Sequence, residues 1–229
     1  HPYNLHRSNP YPETYPMVKQ IPEFRRFVRQ NNLPWQIWSG EVGFASFTLT
    51  DKSPPHHVPY DEHGQARMLV RMMVFQLFHG VEMIFWYDFM NDGWDEWEVE
   101  HNVGLIRTDH LPKPAVVAYA NLIWRLRHAR WLGAYDIGAG AFAYAYVYQN
   151  ADRPGIVAWT LTGSVDEAIP VYSDDVGELT VTDIYGVSRM LPVEQTESGR
   201  RAVLPLTDSP IYVDGLHAED VEPLLTPRP

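Results

Sequence analysis

A glutamate at the end of an apolar segment is the residue of this sequence best suited to chemistry. The segment PWQIWSGEVGF spans residues 34–44, and Glu41 stands between Gly40 and the pair Val42-Gly43. The apolar run predicts a buried strand, and the glycines let the backbone turn without a side-chain clash. A carboxylate presented there suits nucleophilic catalysis. It also suits a helix cap or a salt bridge at the end of a strand.

Aromatic and polar residues follow the next apolar segment, VEMIFWYDF, over residues 81–89. Trp86 comes where a buried strand gives way to a polar loop, so its indole could form the floor beneath a sugar ring. Asp88, Asn91 and Asp92 follow closely and could bond sugar hydroxyls. The alternatives are a tryptophan packed in the core and polar side chains that only solvate the loop.

Other kinds of site find less support in the sequence. WSG lacks the leading glycine of a serine nucleophile elbow. DFMNDG resembles a calcium loop, but Met90 stands where an oxygen ligand is needed and Val99 where the closing Glu should be. The adjacent His56 and His57 diverge, and no phosphate-binding glycine loop is present. We therefore expect no cofactor and no metal.

Composition limits the class of the protein. The 229 residues carry a formal net charge of −11 and no cysteine. The acidity argues against nucleic acid or an anionic membrane as partner, and disulfides are excluded. No apolar run reaches the ~18 residues of a membrane-spanning helix. The 8 Trp, 13 Tyr and 9 Phe suit a sugar ligand, although an aromatic core explains them as well. The cellular compartment stays open.

Two hydrophobic patterns divide the chain. Up to residue 133, helical spacing alternates with short apolar runs, and beyond it the period changes to two, as in AFAYAYVYQN. The predicted elements of the first part are helices over residues 21–32, 61–79 and 115–132 and strands over residues 34–40 and 81–89. We expect an α/β domain with a parallel sheet over residues 1–133. Residues 134–229 are expected to form an all-β antiparallel sandwich.

In this order, the segments resemble the C-terminal part of a retaining glycoside hydrolase of clan A. PWQIWSGEVGF resembles strand seven of the barrel, which holds the nucleophile of the clan, and HPY at residues 1–3 resembles the end of strand six. DEHGQARMLVRMMVFQLFHGVEMIFWYDFMNDG resembles helix seven, strand eight and its Trp, and EHNVGLIRTDHLPKPAVVAYANL resembles the tail that leads into helix eight. The trailing β-domain is similar to the accessory sandwich of families such as family 39, the β-xylosidases and α-iduronidases.

The resemblance implies a fold and a function. The fold is α/β, the C-terminal part of a TIM (β/α)8 barrel (about strands 6–8) followed by the sandwich. The function is hydrolysis of O-glycosyl bonds by retaining double displacement, with Glu41 as nucleophile and Tyr3 as a hydrogen-bond donor to it. The expected substrate contacts are Tyr3, His1, Trp86, Asp88 and Asn91.

The resemblance also implies a partner and leaves alternatives. In the clan the acid/base Glu follows strand four, which would precede residue 1, and a full barrel takes ~250 residues. We therefore expect a further N-terminal barrel portion, in the same or another chain, and an inactive isolated chain. One alternative is a non-catalytic carbohydrate-binding or assembly subunit built on a partial barrel. In another, residues 134–229 are the functional part.

Overall fold

The chain forms two compact units, His1–Ala120 and Asn121–Arg228. The computed structural model describes residues 1, 10–14, 16–138, 140–148 and 153–227. The first unit mixes helices with a parallel strand pair, and the second is built on antiparallel sheets. Among these residues, no helix has both the length and the apolar character needed to cross a membrane. The assignment of residues 1–133 and 134–229 to a barrel portion and an accessory domain stays a prediction.

A strand–helix–strand unit forms the centre of the first unit. Strand β1 (Trp38–Val42) pairs in parallel with β2 (Met83–Trp86), and helix α2 (Glu62–Phe78) connects them. Asp61 caps α2, because its Oδ1 accepts a hydrogen bond of 2.5 Å from the backbone N–H of Gly64. The predicted parallel pairing through a helix is confirmed here.

Helix α1 (Pro16–Gln30) precedes this unit and begins earlier than predicted. The sequence interpretation placed Pro22 in the first turn, but Pro22 lies inside the helix and Pro16 begins it. Proline suits the first helical position, where its missing N–H has no partner to lose. Both prolines fit that position by residue type, so the choice between them was open in the sequence.

The helix predicted over residues 115–132 is too long. Helix α3 spans Pro114–Leu126, and Ala129–Tyr135 forms strand β3 instead. A Cβ on Gly133 would come within 2.5 Å of the carbonyl oxygen of Thr226. Gly133 therefore permits close packing between strands and does not end a helix. Cross-strand contacts outweigh the local helical pattern here.

Antiparallel strands make up most of the second unit. They are β3 with β4 (Ala141–Tyr148), β5 (Pro154–Thr160), β6 (Ser164–Pro170), β7 (Glu178–Asp183), β8 (Ser188–Pro192), β9 (Glu194–Thr196), β10 (Gly199–Thr207), β11 (Ile211–Asp214) and β12 (Leu225–Pro227). One sheet has the order β12-β3-β4-β5-β11-β7-β8, and the other has the order β6-β10-β9. A short helix, α4 (Ala218–Val221), precedes β12. The predicted antiparallel strands are confirmed.

The two sheets share one hydrophobic core. Alternate residues of β10, among them Ala202 and Leu204, lie in the same buried cluster as Ile156 of β5 and Val213 of β11. This alternation is the period of two that the sequence showed. The name sandwich for this arrangement remains a prediction.

Candidate functional site

Glu41 lies in β1, one residue before the strand ends. Its side chain is 30% exposed, and its Oε2 lies 2.6 Å from Nδ1 of His1. A carboxylate has no proton to donate when ionised, so the imidazole N–H is the donor in this contact. The structure thus brings together two of the predicted site residues, Glu41 and His1. Tyr3, the predicted donor to Glu41, lies outside the described residues.

A β-bulge sets the direction of the Glu41 side chain. Ser39 pairs with Ile84 and Val42 with Trp86, so residues 40–41 together face a single residue of β2. Such a bulge breaks the regular alternation of faces and re-aims a side chain. Because Val42 is the register partner of Trp86, Glu41 and Trp86 lie at the same end of two adjacent parallel strands.

Gly43 allows the backbone after Glu41 to pack tightly against the loop that follows β2. A Cβ at this position would lie 2.1 Å from the carbonyl oxygen of Tyr87 and 2.6 Å from Cγ1 of Val103. The indole Nε1 of Trp86 donates to the Val103 carbonyl at 3.4 Å, and its ring lies 6.2 Å from that of Phe44. Trp86 is only partly buried, so part of its surface stays available to a ligand.

The side chain of Gln65 in α2 connects the backbone after β1 to the backbone of the loop after β2 by hydrogen bonds. Its side chain is fully buried, and Nε2 lies within hydrogen-bond distance of the carbonyl oxygens of Phe44 (2.7 Å), Val103 (3.0 Å) and Gly104 (3.3 Å). The sequence analysis gave Gln65 no role. The only signal for one is a glutamine among the apolar residues of a buried helix.

Lys113 connects the loops that follow β1 and β2. It is only 2% exposed, and its ammonium donates to Oδ1 of Asn91 (2.8 Å), the carbonyl oxygen of Asn102 (2.9 Å) and the hydroxyl of Ser46 (3.0 Å). Burial lowers the pKa of Lys113 to about 8, since a low-dielectric environment disfavours the charged form. The sequence analysis did not assign Lys113 a role.

Asn91 therefore has a structural contact inside the loop. It is 8% exposed, its oxygen accepts from Lys113, and its Nδ2 donates to Oδ1 of Asn102 at 3.4 Å. These bonds use the carbonyl oxygen and one N–H of the amide. A contact between Asn91 and substrate stays a prediction.

Asp88 is a carboxyl with a perturbed ionisation. Burial, together with the nearby Asp92 carboxyl, raises the pKa of Asp88 to about 6. Its Oδ1 is buried, and no residue within the described ranges donates a hydrogen bond to it. The Tyr87 hydroxyl donates to Oδ2 of Asp92 at 3.2 Å. Asp88 thus offers an acceptor without a partner beside the end of β2.

The residues of the candidate site offer carboxylate chemistry and an aromatic surface. Among the residues that the structure describes, no group of three or more His, Asp or Glu is placed to hold a metal ion. Glu41 can act as a nucleophile or base, and Trp86 and Asp88 can provide an apolar face and a hydrogen-bond acceptor.

Comparisons with known proteins bear on the fold of the chain. No family model matches the chain, and no curated protein matches its sequence. Among solved structures, the chain is similar to a family 39 glycoside hydrolase from the gut symbiont Bacteroides cellulosilyticus WH2, with a TM-score of 0.66 and 24% sequence identity. The likeness covers 85% of this chain and 37% of that one, so the chain spans little more than a third of its neighbour's length.

Two β-glucuronidases are more distant neighbours. The β-glucuronidase 2 of Bacteroides uniformis has a TM-score of 0.35 at 11% identity, covering 83% of this chain and 24% of its own. The FMN-binding β-glucuronidase of Facaelibacterium prausnitzii L2-6 has a TM-score of 0.36 at 13% identity, covering 83% and 30%. Scores this low support no argument about the chain. The resemblance to a family 39 glycoside hydrolase that the sequence motifs indicate is confirmed at the level of the fold.

Proposed function

We propose that this chain is part of a retaining glycoside hydrolase and that Glu41 is its nucleophile. The observation that supports this most directly is a partly exposed carboxylate at the end of β1, aimed by a bulge and bonded by His1. Catalytic residues of β/α barrels lie at the C-terminal ends of the strands. The fold similarity to a family 39 glycoside hydrolase adds to this support.

The proposed reaction is a double displacement. A Glu41 oxygen attacks the anomeric carbon, the bond from that carbon to the leaving oxygen breaks, and a second carboxyl gives its proton to the leaving oxygen. The same second group then takes a proton from water, whose oxygen breaks the glycosyl ester and frees Glu41. The two carboxyls must stand about 5 Å apart. We place this acid/base group outside the 229 residues.

Each of the other predicted site residues has a proposed role. His1 donates a hydrogen bond to Glu41 and holds its carboxylate in place. Trp86 stacks beneath the sugar that is attacked, and the Asp88 carboxyl is a proposed hydrogen-bond partner of a sugar hydroxyl. Asn91 and Tyr3 remain proposed contacts from the resemblance alone.

The first unit is proposed to contribute about strands 6–8 of the barrel, with the remainder supplied by a further portion in the same or another chain. One face of the β1–β2 pair supports this, because Trp38, Met83 and Phe85 are exposed there and the rings of Trp38 and Phe85 lie 6.3 Å apart. Barrel interiors are packed with apolar side chains, and this face has the composition of such an interior. The second unit is proposed to be an accessory β-sandwich.

The test replaces Glu41 in the protein that contains this chain together with the rest of the barrel. Glu41→Ala should abolish hydrolysis of aryl glycosides, and azide or formate should restore part of the turnover by taking the place of the lost carboxylate. Glu82→Ala is the matched control and should leave hydrolysis unchanged, because Glu82 is also a glutamate beside this sheet and its side chain pairs with Arg25 at 3.4 Å. Undiminished hydrolysis by Glu41→Ala would refute the assignment.

A further inference from the structure

A cavity of the first unit lies apart from Glu41. Its volume is about 460 Å³, and it is formed by the loop after β1, the loop after β2 and the start of α2. Of the residues discussed for the candidate site, Asn91 lines it, whereas Glu41 and Trp86 do not. The sequence analysis assigned this cavity no role.

Trp94 stands at the wall of this cavity on a fixed loop. Its side chain is 75% exposed. Three hydrogen bonds hold the backbone carbonyl oxygens of this loop. The Thr108 hydroxyl donates to the carbonyl oxygen of Gly93 at 2.6 Å, and the side-chain amide of Asn102 donates to the carbonyl oxygen of Asp95 at 2.8 Å. The backbone N–H of Thr48 donates to the carbonyl oxygen of Glu96 at 2.7 Å. The loop is therefore held on both sides of Trp94, so little ordering entropy is lost when a ligand stacks on the indole.

Gly93 lets this loop pack closely. A Cβ at position 93 would lie 2.5–2.6 Å from three atoms of the His101 ring. The glycine thus brings the loop against His101 and fixes the position from which Trp94 projects.

The cavity offers hydrogen-bond acceptors and a negative charge. Four carboxylates line it, Asp61, Glu62, Glu96 and Asp109, against one guanidinium, Arg107. Arg107 is already paired with Glu62 through two hydrogen bonds of 2.6 and 2.5 Å. Glu96 and Asp109 are exposed, so their carboxylate oxygens are available in the cavity as hydrogen-bond acceptors. A neutral molecule rich in hydroxyl donors fits this charge, whereas an anionic one is repelled.

We propose that this cavity is a second carbohydrate-binding subsite, in which Trp94 stacks on a sugar ring and the carboxylates accept hydrogen bonds from its hydroxyls. A sugar ring has an apolar face and a polar rim, and the cavity pairs an apolar platform with acceptors. The subsite takes neutral sugars and excludes acidic ones. This inference rests on the proposed function for the class of ligand but uses none of the residues proposed for the chemistry.

The experiment is calorimetric titration of the 229-residue chain with xylohexaose, cellohexaose and mannohexaose, and with trigalacturonate as the acidic probe. At least one neutral hexasaccharide should bind, with trigalacturonate giving no measurable heat. Trp94→Ala should weaken that binding by about tenfold or more, which corresponds to about 1.4 kcal/mol. Trp94→Phe should recover part of the loss, because it retains an aromatic face.

Trp124→Ala is the matched control, since Trp124 is 69% exposed and belongs to α3. It should leave the affinity unchanged. Binding of none of the neutral hexasaccharides, equal binding by Trp94→Ala, or binding of trigalacturonate as tight as that of the neutral sugars would each overturn the proposal. Covalent labelling of Glu41 is read separately, so failure of the proposed nucleophile and failure of this subsite give different results.

Discussion

Replacing Lys113 by Met should make the stability of the protein less dependent on pH above pH 7. The Lys113 ammonium is buried, and burial lowers its pKa to about 8 from an ordinary value of 10.5. A base with a lowered pKa binds its proton more weakly in the fold than in the unfolded chain. The charged form therefore costs stability at pH 7, and this cost diminishes as the pH rises through 8 toward 10.5.

The size of the effect follows from the two pKa values of Lys113. The lowered pKa of Lys113 reduces the free energy of unfolding by about 3 kcal/mol at pH 7 and by about 1.4 kcal/mol at pH 9.5, at 1.36 kcal/mol for each pKa unit. The wild type should therefore gain about 2 kcal/mol relative to Lys113→Met between these two pH values. At both, the variant should also lose about 1–3 kcal/mol, because Oδ1 of Asn91 loses its donor.

The assay is urea-induced unfolding of both proteins at pH 7 and pH 9.5, and the titration of the tyrosines, which both proteins share, cancels in the comparison. Lys52→Met is the control, because Lys52 is an exposed lysine of the same unit. Its difference from the wild type should be the same at the two pH values. A wild-type advantage over Lys113→Met that does not grow with pH would refute the buried, pKa-shifted ammonium.

Two further substitutions test the surroundings of the site. Asp92→Asn should lower the pKa of Asp88 from about 6 toward its ordinary value, because a repelling carboxylate is removed while the burial of Asp88 remains. Carboxyl NMR titration would measure this pKa, and an unchanged pKa would contradict the prediction. Since the raised pKa makes ionisation of Asp88 unfavourable to the fold, the wild type should lose stability relative to this variant as the pH rises from about 4 to 6. Gly43→Ala should lower the free energy of unfolding by about 1–3 kcal/mol or more, because its methyl would meet the Tyr87 carbonyl. Gly177→Ala, where a Cβ meets nothing within 4 Å, should change it far less, and equal effects in thermal unfolding would contradict the packing.

Hydrophobic spacing in the sequence predicted those helices and strands whose form depends on residues close together in the chain. The apolar spacing of residues 61–79 identified α2. The apolar runs over residues 34–40 and 81–89 identified two strands, but β1 runs Trp38–Val42 and includes Glu41, and β2 is shorter, Met83–Trp86. The bulge at residues 40–41 was not predictable, because it depends on the register between β1 and β2. Gly133 was misinterpreted for the same reason. The carbonyl oxygen of Thr226 leaves no room for a side chain at position 133, and Thr226 is far away in the sequence.

The buried polar contacts of the site were also beyond the sequence. A lysine is ordinarily exposed, so Lys113 carried no signal of its burial, and the apolar residues around Gln65 indicated burial but not the loops to which it is bonded. Their partners are carbonyl and amide oxygens of distant loops, and such contacts exist only once the chain has folded. Glu41 stood out in the sequence because it departs from the apolar residues around it, and its role stays a prediction.

Covalent capture of the nucleophile is the most direct test of the proposed function. The protein that contains this chain with its complete barrel would be incubated with activated 2-deoxy-2-fluoro glycosides, and the labelled peptide would be identified by mass spectrometry. The fluorine slows hydrolysis of the glycosyl ester, so the intermediate should accumulate. We expect the label on Glu41. Label on another carboxylate of an active enzyme would contradict the assignment, and sugar binding without any label or turnover would favour a non-catalytic carbohydrate-binding subunit.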